Sequence, residues 1–224
     1  SGQRFGHRIQ ANDNGDILAV SSLAPGNAGK VEIFVKTSQS NDGSSQNSFA
    51  LAQTLTGVAS DGSTVNTAFG ESIAMSKDGT TLIIGAPGVD GTEQPDAGAI
   101  YYYKWNADGS TNTYTLQQTI SAPATQSNTT VVDLNTGSGG AYTATMYNTK
   151  FVMDDSLVSV SVSENDDFGR GVCMIDNTVL VGSPNDDGNT DTSDGSSKIS
   201  NDGTVNIYDL TVNGEYAWNN LVTE

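Results

Sequence analysis

Phe69-Gly70-Glu71-Ser72-Ile73-Ala74-Met75-Ser76-Lys77-Asp78-Gly79-Thr80-Thr81-Leu82-Ile83-Ile84-Gly85-Ala86-Pro87 reads as two short strands joined by a tight turn at Asp78-Gly79. Gly-Ala-Pro stops the second strand. The same pattern is written twice more. Near the start it is Phe5-Gly6-His7-Arg8-Ile9, then Asp16-Ile17-Leu18-Ala19-Val20. Near the end it is Phe168-Gly169-Arg170-Gly171-Val172, then Val179-Leu180-Val181-Gly182-Ser183-Pro184. From the FG phenylalanine to Leu18 and Leu82 of the next strand is 13 residues in two copies, and to Val179 it is 11 in the third. A third strand then begins at Gly29, Gly98 and Gly203, which puts Phe34, Tyr103 and Tyr208 in register. A more polar fourth strand follows at residues 49–55, 114–120 and 215–222. Such a period precedes every other inference, because a missed repeat miscalls the fold.

These FG-to-Gly-Ala-Pro units resemble the FG-GAP repeat, the blade of integrin-alpha-type β-propellers. The resemblance covers most of the chain. It implies an all-β propeller of four-stranded antiparallel blades. The residue types agree with that picture. Leu82-Ile83-Ile84 and Val179-Leu180-Val181 are apolar at successive positions, so both faces of those strands need cover. Inner strands lying between neighbouring blades have it. The glycine after each phenylalanine permits close backbone approach, and Pro87 and Pro184 end strands where no ladder donor is needed. An ordinary β-sandwich with chance FG dipeptides is the weaker reading, since sandwiches do not repeat four strands in register.

Taken in order, residues 5–57 form the first blade, 69–120 the second and 168–224 the third, with 58–68 a Gly/Ser/Thr linker. The first copy is degenerate where Leu23-Ala24-Pro25 replaces Gly-Ala-Pro. The FG-to-FG spacing is 64 residues and then 99, so 121–167 is extra. It has strand-like runs at 130–134, 141–147, 150–153 and 157–162. A hairpin-rich insertion is preferred there; a diverged fourth blade is the other reading. Three blades do not close a ring. Either a longer protein of which this is an excerpt supplies more, or the extra region is a fourth, or two copies join as a homodimer. Open end flanks would otherwise be large apolar patches.

The chain has 224 residues, enough for a sizeable core, and 26 acidic against 9 basic residues give a net charge of −17. That balance argues against nucleic acid and anionic membrane surfaces. No run is long enough to insert in a membrane as a helix. Cys173 is the sole cysteine, so there is no internal disulfide, and its place on a strand predicts a small buried hydrophobe. Abundant Gly, Ser, Thr, Asn and Asp fit an extracellular, cell-surface or virion setting.

One segment has ligand-like spacing: Asp187, Asn189 and Asp191 place oxygens at alternate positions, followed by a further carboxylate at Asp194, a set that can wrap a hard cation such as Ca2+. It lacks the glycine and glutamate of an EF-hand loop. The integrin-type calcium loop lies between the first and second strands of a blade, and here those turns are too short for it. A solvated acidic loop is the competing reading. Asp90, Glu93 and Asp96 are a weaker acidic group in the second blade. Catalysis has little to use. His7 is the only histidine, and no serine sits in a nucleophile elbow. Tyr101 and Tyr103 face opposite to Tyr102, so with Trp105 they predict packing and not a carbohydrate platform.

The segments that have grown are 88–97, 121–167 and 185–202, all at the same end of the propeller. Grown loops on a rigid scaffold are where binding concentrates. By family resemblance, the expectation is a non-enzymatic adhesion or binding module with a protein or glycan partner. The competing classes are a carboxylate-dependent hydrolase, or an accessory domain of one, and an architectural spacer on a virion or cell surface.

Overall fold

The computed structural model describes residues 2–23, 28–40, 45–57, 67–90, 96–107, 112–122, 129–130, 144–147, 150–152, 167–185 and 203–223. Among these, every regular element is a strand. The strands β1 (Arg4–Ala11), β2 (Ile17–Leu23), β3 (Lys30–Ser40) and β4 (Ser45–Thr56) pair antiparallel in sequence order. So do β5 (Ser72–Met75), β6 (Thr81–Ala86), β7 (Ala99–Ala107) and β8 (Asn112–Ser121). The short strands β9 (Thr129–Thr130), β10 (Ala144–Tyr147) and β11 (Lys150–Val152) form a separate three-stranded sheet in the order β11-β10-β9. The last sheet is β12 (Gly171–Ile175), β13 (Thr178–Ser183), β14 (Thr204–Leu210) and β15 (Tyr216–Thr223). The strand expected at 157–162 lies outside the described residues.

The three four-stranded sheets are propeller blades, and they stack face to face. Leu82, Ile83 and Ile84 are each fully buried, which contributes roughly 1.5–3 kcal/mol per side chain. Period two divides them. Leu82 and Ile84 join Val31, Ile33 and Leu55 of the first blade in one apolar core. Ile83 joins Phe168, Val179 and Val181 of the third blade in another. The tyrosines split the same way, Tyr101 and Tyr103 to the first core and Tyr102 to the second. Tyr101 meets Phe69 edge to face at 5.2 Å, and Tyr102 meets Tyr216 at 4.9 Å.

Backbone geometry repeats with the blades. Each sheet carries one register shift between its third and fourth strands, at Ile33/Phe34, Tyr102/Tyr103 and Ile207/Tyr208. Each first turn is tied to its third strand, because Lys36, Trp105 and Leu210 donate their amides to the carbonyls of Asp16, Thr80 and Asn177.

The junction between blades is also written twice. The Phe69 amide donates to the Ala28 carbonyl at 2.8 Å, and the Phe168 amide to the Ala97 carbonyl at 3.2 Å. Beside each acceptor is a glycine with positive φ, Gly29 at 77° and Gly98 at 92°. A Cβ on Gly98 would lie 2.6 Å from the Phe168 nitrogen and closer still to its carbonyl oxygen. At the outer strands, Gln53 takes the Tyr114 amide at 2.7 Å and gives a hydrogen bond to the Tyr114 carbonyl at 2.9 Å. Gln118 holds Tyr216 identically, at 2.8 and 3.0 Å. Both backbone groups of each tyrosine are thereby satisfied where one blade meets the next.

Two expectations about the third blade are corrected. Cys173 is exposed, not buried, and Leu180 is only half-buried, unlike its neighbours Val179 and Val181. The cause is positional. Cys173 lies five residues after Phe168, as Ala74 lies five after Phe69. Ala74 is buried because the third blade covers it. No further blade among the described residues covers the equivalent side of the third sheet.

Candidate functional site

The strand-two-to-three loops and the sheet-to-sheet connections leave the blades at one end, where the FG turns also lie. A left-handed residue precedes each internal FG phenylalanine: Ala68 at φ 50° and Asp167 at φ 57°. Each closes a turn, accepting on its carbonyl the amide of Glu71 or Arg170 at 3.0 Å. The residue after each FG is thus fixed in place. In all three copies it is charged or titratable: His7, Glu71 and Arg170.

His7 and Glu71 pair with one another, and Arg170 pairs with Asp167. Glu71 Oε1 lies 3.4 Å from His7 Nε2 and 3.6 Å from Arg8 Nη2, and Arg8 Nε donates to the Glu71 carbonyl at 2.9 Å. Asp167 accepts hydrogen bonds on Oδ2 from Arg170 Nη1 at 2.9 Å and from Asn185 Nδ2 at 2.7 Å. Burial raises the Asp167 carboxyl above the usual range, against the lowering effect of Arg170; Asp96 and Glu71 push it up further. Nearby, Asp96 (φ 53°) donates its amide to Asp90 Oδ1 at 3.0 Å, which pins the base of the 88–97 loop.

A raised folded-state pKa means the native chain holds a proton that the unfolded chain has lost. The stability that Asp167 contributes therefore falls as pH rises from the ordinary carboxylate value through the folded one. Asp167→Asn removes that dependence. Its melting temperature relative to the parent is expected to climb as pH rises above the ordinary carboxylate value. A flat or falling difference in paired thermal scans would sink the assignment.

Chemically, this end offers charges already matched by opposite charges or by hydrogen bonds, on turns that are rigid. That is the material of a recognition surface. Asp187, Asn189, Asp191 and Asp194 lie outside the described residues, as does Glu93. Among the described residues, no three His, Cys, Asp or Glu side chains gather to hold a metal ion. Asp90 and Asp96 are held together through the backbone contact above. Trp105 packs edge to face on Tyr114 at 4.8 Å. The sequence reading passed over Asp167, Glu71 and Arg170, whose signal was their fixed offset from the FG dipeptide. It also passed over Gln53 and Gln118, each four residues after an aromatic, Phe49 or Tyr114.

No curated protein matches the chain. A family model for the FG-GAP repeat matches residues 52–103. That stretch runs from the end of β4, through the linker and the Phe69 turn, to the middle of β7. It contains the Gln53 latch, the buried FG phenylalanine, the Leu82-Ile83-Ile84 strand and the Gly98 junction, so this stretch of the second four-stranded sheet and the seam before it is similar to an FG-GAP repeat.

Proposed function

We propose that this chain is a non-enzymatic binding module of a cell exterior or a virion surface, presenting the loops at its FG end to a protein or glycan partner. The observation that carries this is the contrast between the two ends of the blades. At the opposite end the turns between the first and second strands are short, and those of the first two sheets are tied down. Asn12 Oδ1 accepts the amides of Asp16 and Ile17, Asp13 donates its amide to the Lys77 carbonyl at 2.8 Å, and Tyr114 donates its hydroxyl to the Gly79 carbonyl at 2.6 Å. The segments 88–97, 121–167 and 185–202 join strand ends that lie at the FG end, beside the ordered charges. A closed end that braces the scaffold and an elaborated end that varies is the division of labour of a binding scaffold.

The test is a binding screen on immobilised glycans and on cell-surface proteins. It compares the chain with a variant whose 185–202 loop is replaced by a short Gly-Ser linker. The reading expects the variant to keep its melting temperature and to lose binding by at least about tenfold. Turnover of a glycoside or phosphoester substrate, abolished by a single carboxylate change, would replace it with the hydrolase reading. A melting scan in calcium chloride against chelator decides whether Asp187, Asn189, Asp191 and Asp194 take a cation. A calcium-dependent rise supports ligation, and coincident curves retire it.

A further inference from the structure

Equivalent positions in the three blades have unequal surroundings. Phe69 and Phe168 are 0% exposed, whereas Phe5 is 58% exposed. Gly29 and Gly98 lie against the backbone of the next FG phenylalanine, whereas Gly203, at φ 74°, meets chiefly Pro184 of its own sheet. Gly70 and Gly169 abut the preceding blade through Ser21 and Ala99, whereas Gly6 has nothing within 4 Å. The junction is therefore present in full twice. A third copy is split, with its phenylalanine half on the first blade and its glycine half on the third.

Among the described residues nothing covers the two end flanks, and they have the chemistry of the filled ones. The first flank exposes Phe5 and Ile9, the latter 62% exposed where its counterpart Ile73 packs on a core. Phe5 already meets Phe34 edge to face at 6.2 Å, as Phe168 meets Tyr208 at 6.1 Å. The third-blade flank exposes Cys173 and Ile175 beside half-buried Leu180 and Ile207. One position departs. Glu32 stands where the second blade has Tyr101, and Lys30 Nζ neutralises it at 3.0 Å.

We propose that these flanks bind each other, the first blade of one copy of this chain seating on the third blade of another. Phe5 then fills the place beside Gly203 that Phe69 and Phe168 fill beside Gly29 and Gly98. The contact uses two different surfaces, so it is head to tail, giving a ring where the rotation per copy closes and an open chain of copies where it does not. This inference does not depend on the binding reading above.

Light scattering of the whole chain over a concentration series tests it. A mass of two or more chains is expected. Phe5→Asp and Ile175→Asp each alter an exposed side chain, so the single chain should fold as before. Each is expected to weaken assembly at least about 30-fold. Mixing the two variants is the decisive arm. One intact flank on each restores a single junction, so a pair of chains re-forms where neither variant pairs alone. Iodoacetamide labelling of Cys173 should slow on assembly. A single-chain mass at all concentrations, or an assembly indifferent to both substitutions, overturns the proposal.

Discussion

Phe69→Ala is expected to destabilise the chain by about 3–5 kcal/mol, and Phe168→Ala by about as much, while Phe5→Ala in dilute solution costs less than about 1 kcal/mol. All three carry the same residue in the same motif, so side-chain chemistry cannot separate them. Burial does. The Phe69 ring is enclosed between Tyr101 of its own blade and Gly57, whose Cβ, were one present, would lie 2.7 Å from Cδ2. Removing that ring leaves a cavity bounded by two sheets that their own ladders hold apart. Phe5 is 58% exposed and leaves no such void. Chemical denaturation of the three variants side by side is the measurement. Equal losses at Phe5 and Phe69 would show that the ring stabilises its own turn, not the junction.

Gly98→Ala is the second large effect. The added Cβ would lie 2.6 Å from the Phe168 nitrogen at a φ of 92°, and both terms are unfavourable. A left-handed alanine costs about 1–2 kcal/mol, and backbone displacement at a packed junction about 1–3 more. The expected loss is about 2–5 kcal/mol. Gly214→Ala isolates the first term, since Gly214 has a φ of 81° and nothing within 4 Å. It should cost only about 1–2 kcal/mol. Denaturation midpoints for the pair separate backbone strain from loss of contact. A Gly98→Ala loss no greater than that of Gly214→Ala would mean the blades move apart freely there.

What could be read from the sequence follows from what period and composition encode. Leu82-Ile83-Ile84 demanded cover on two faces, and Tyr102 had to oppose Tyr101 and Tyr103, because alternation fixes which face a side chain takes. Whether that face is covered is a property of the neighbouring blade. Cys173 shows the difference, since its strand position matches buried Ala74 and yet it is exposed. Gln53 and Gln118 were illegible for another reason. A glutamine on an outer strand looks solvated until the adjacent tyrosine backbone is in place. At the FG end, Asp90 and Asp96 were visible as acids, but the burial that raises Asp167 depends on a turn geometry that composition does not report.

The stretch 52–103 that matches the repeat starts on the fourth strand of one sheet and stops on the third strand of the next. Sequence unit and folding unit are out of phase by one strand. A chain trimmed to those limits would keep β5, β6 and most of β7, lose the edge partner β8, and carry a remnant of β4 with no sheet to join. Copying the same stretch in tandem would instead transmit a seam, with Gln53, Phe69 and Gly98 travelling together. Each new copy would arrive with the means of gripping its neighbours already matched. Blade number can then change by duplication without any surface having to be reinvented, since the heritable element is the joint.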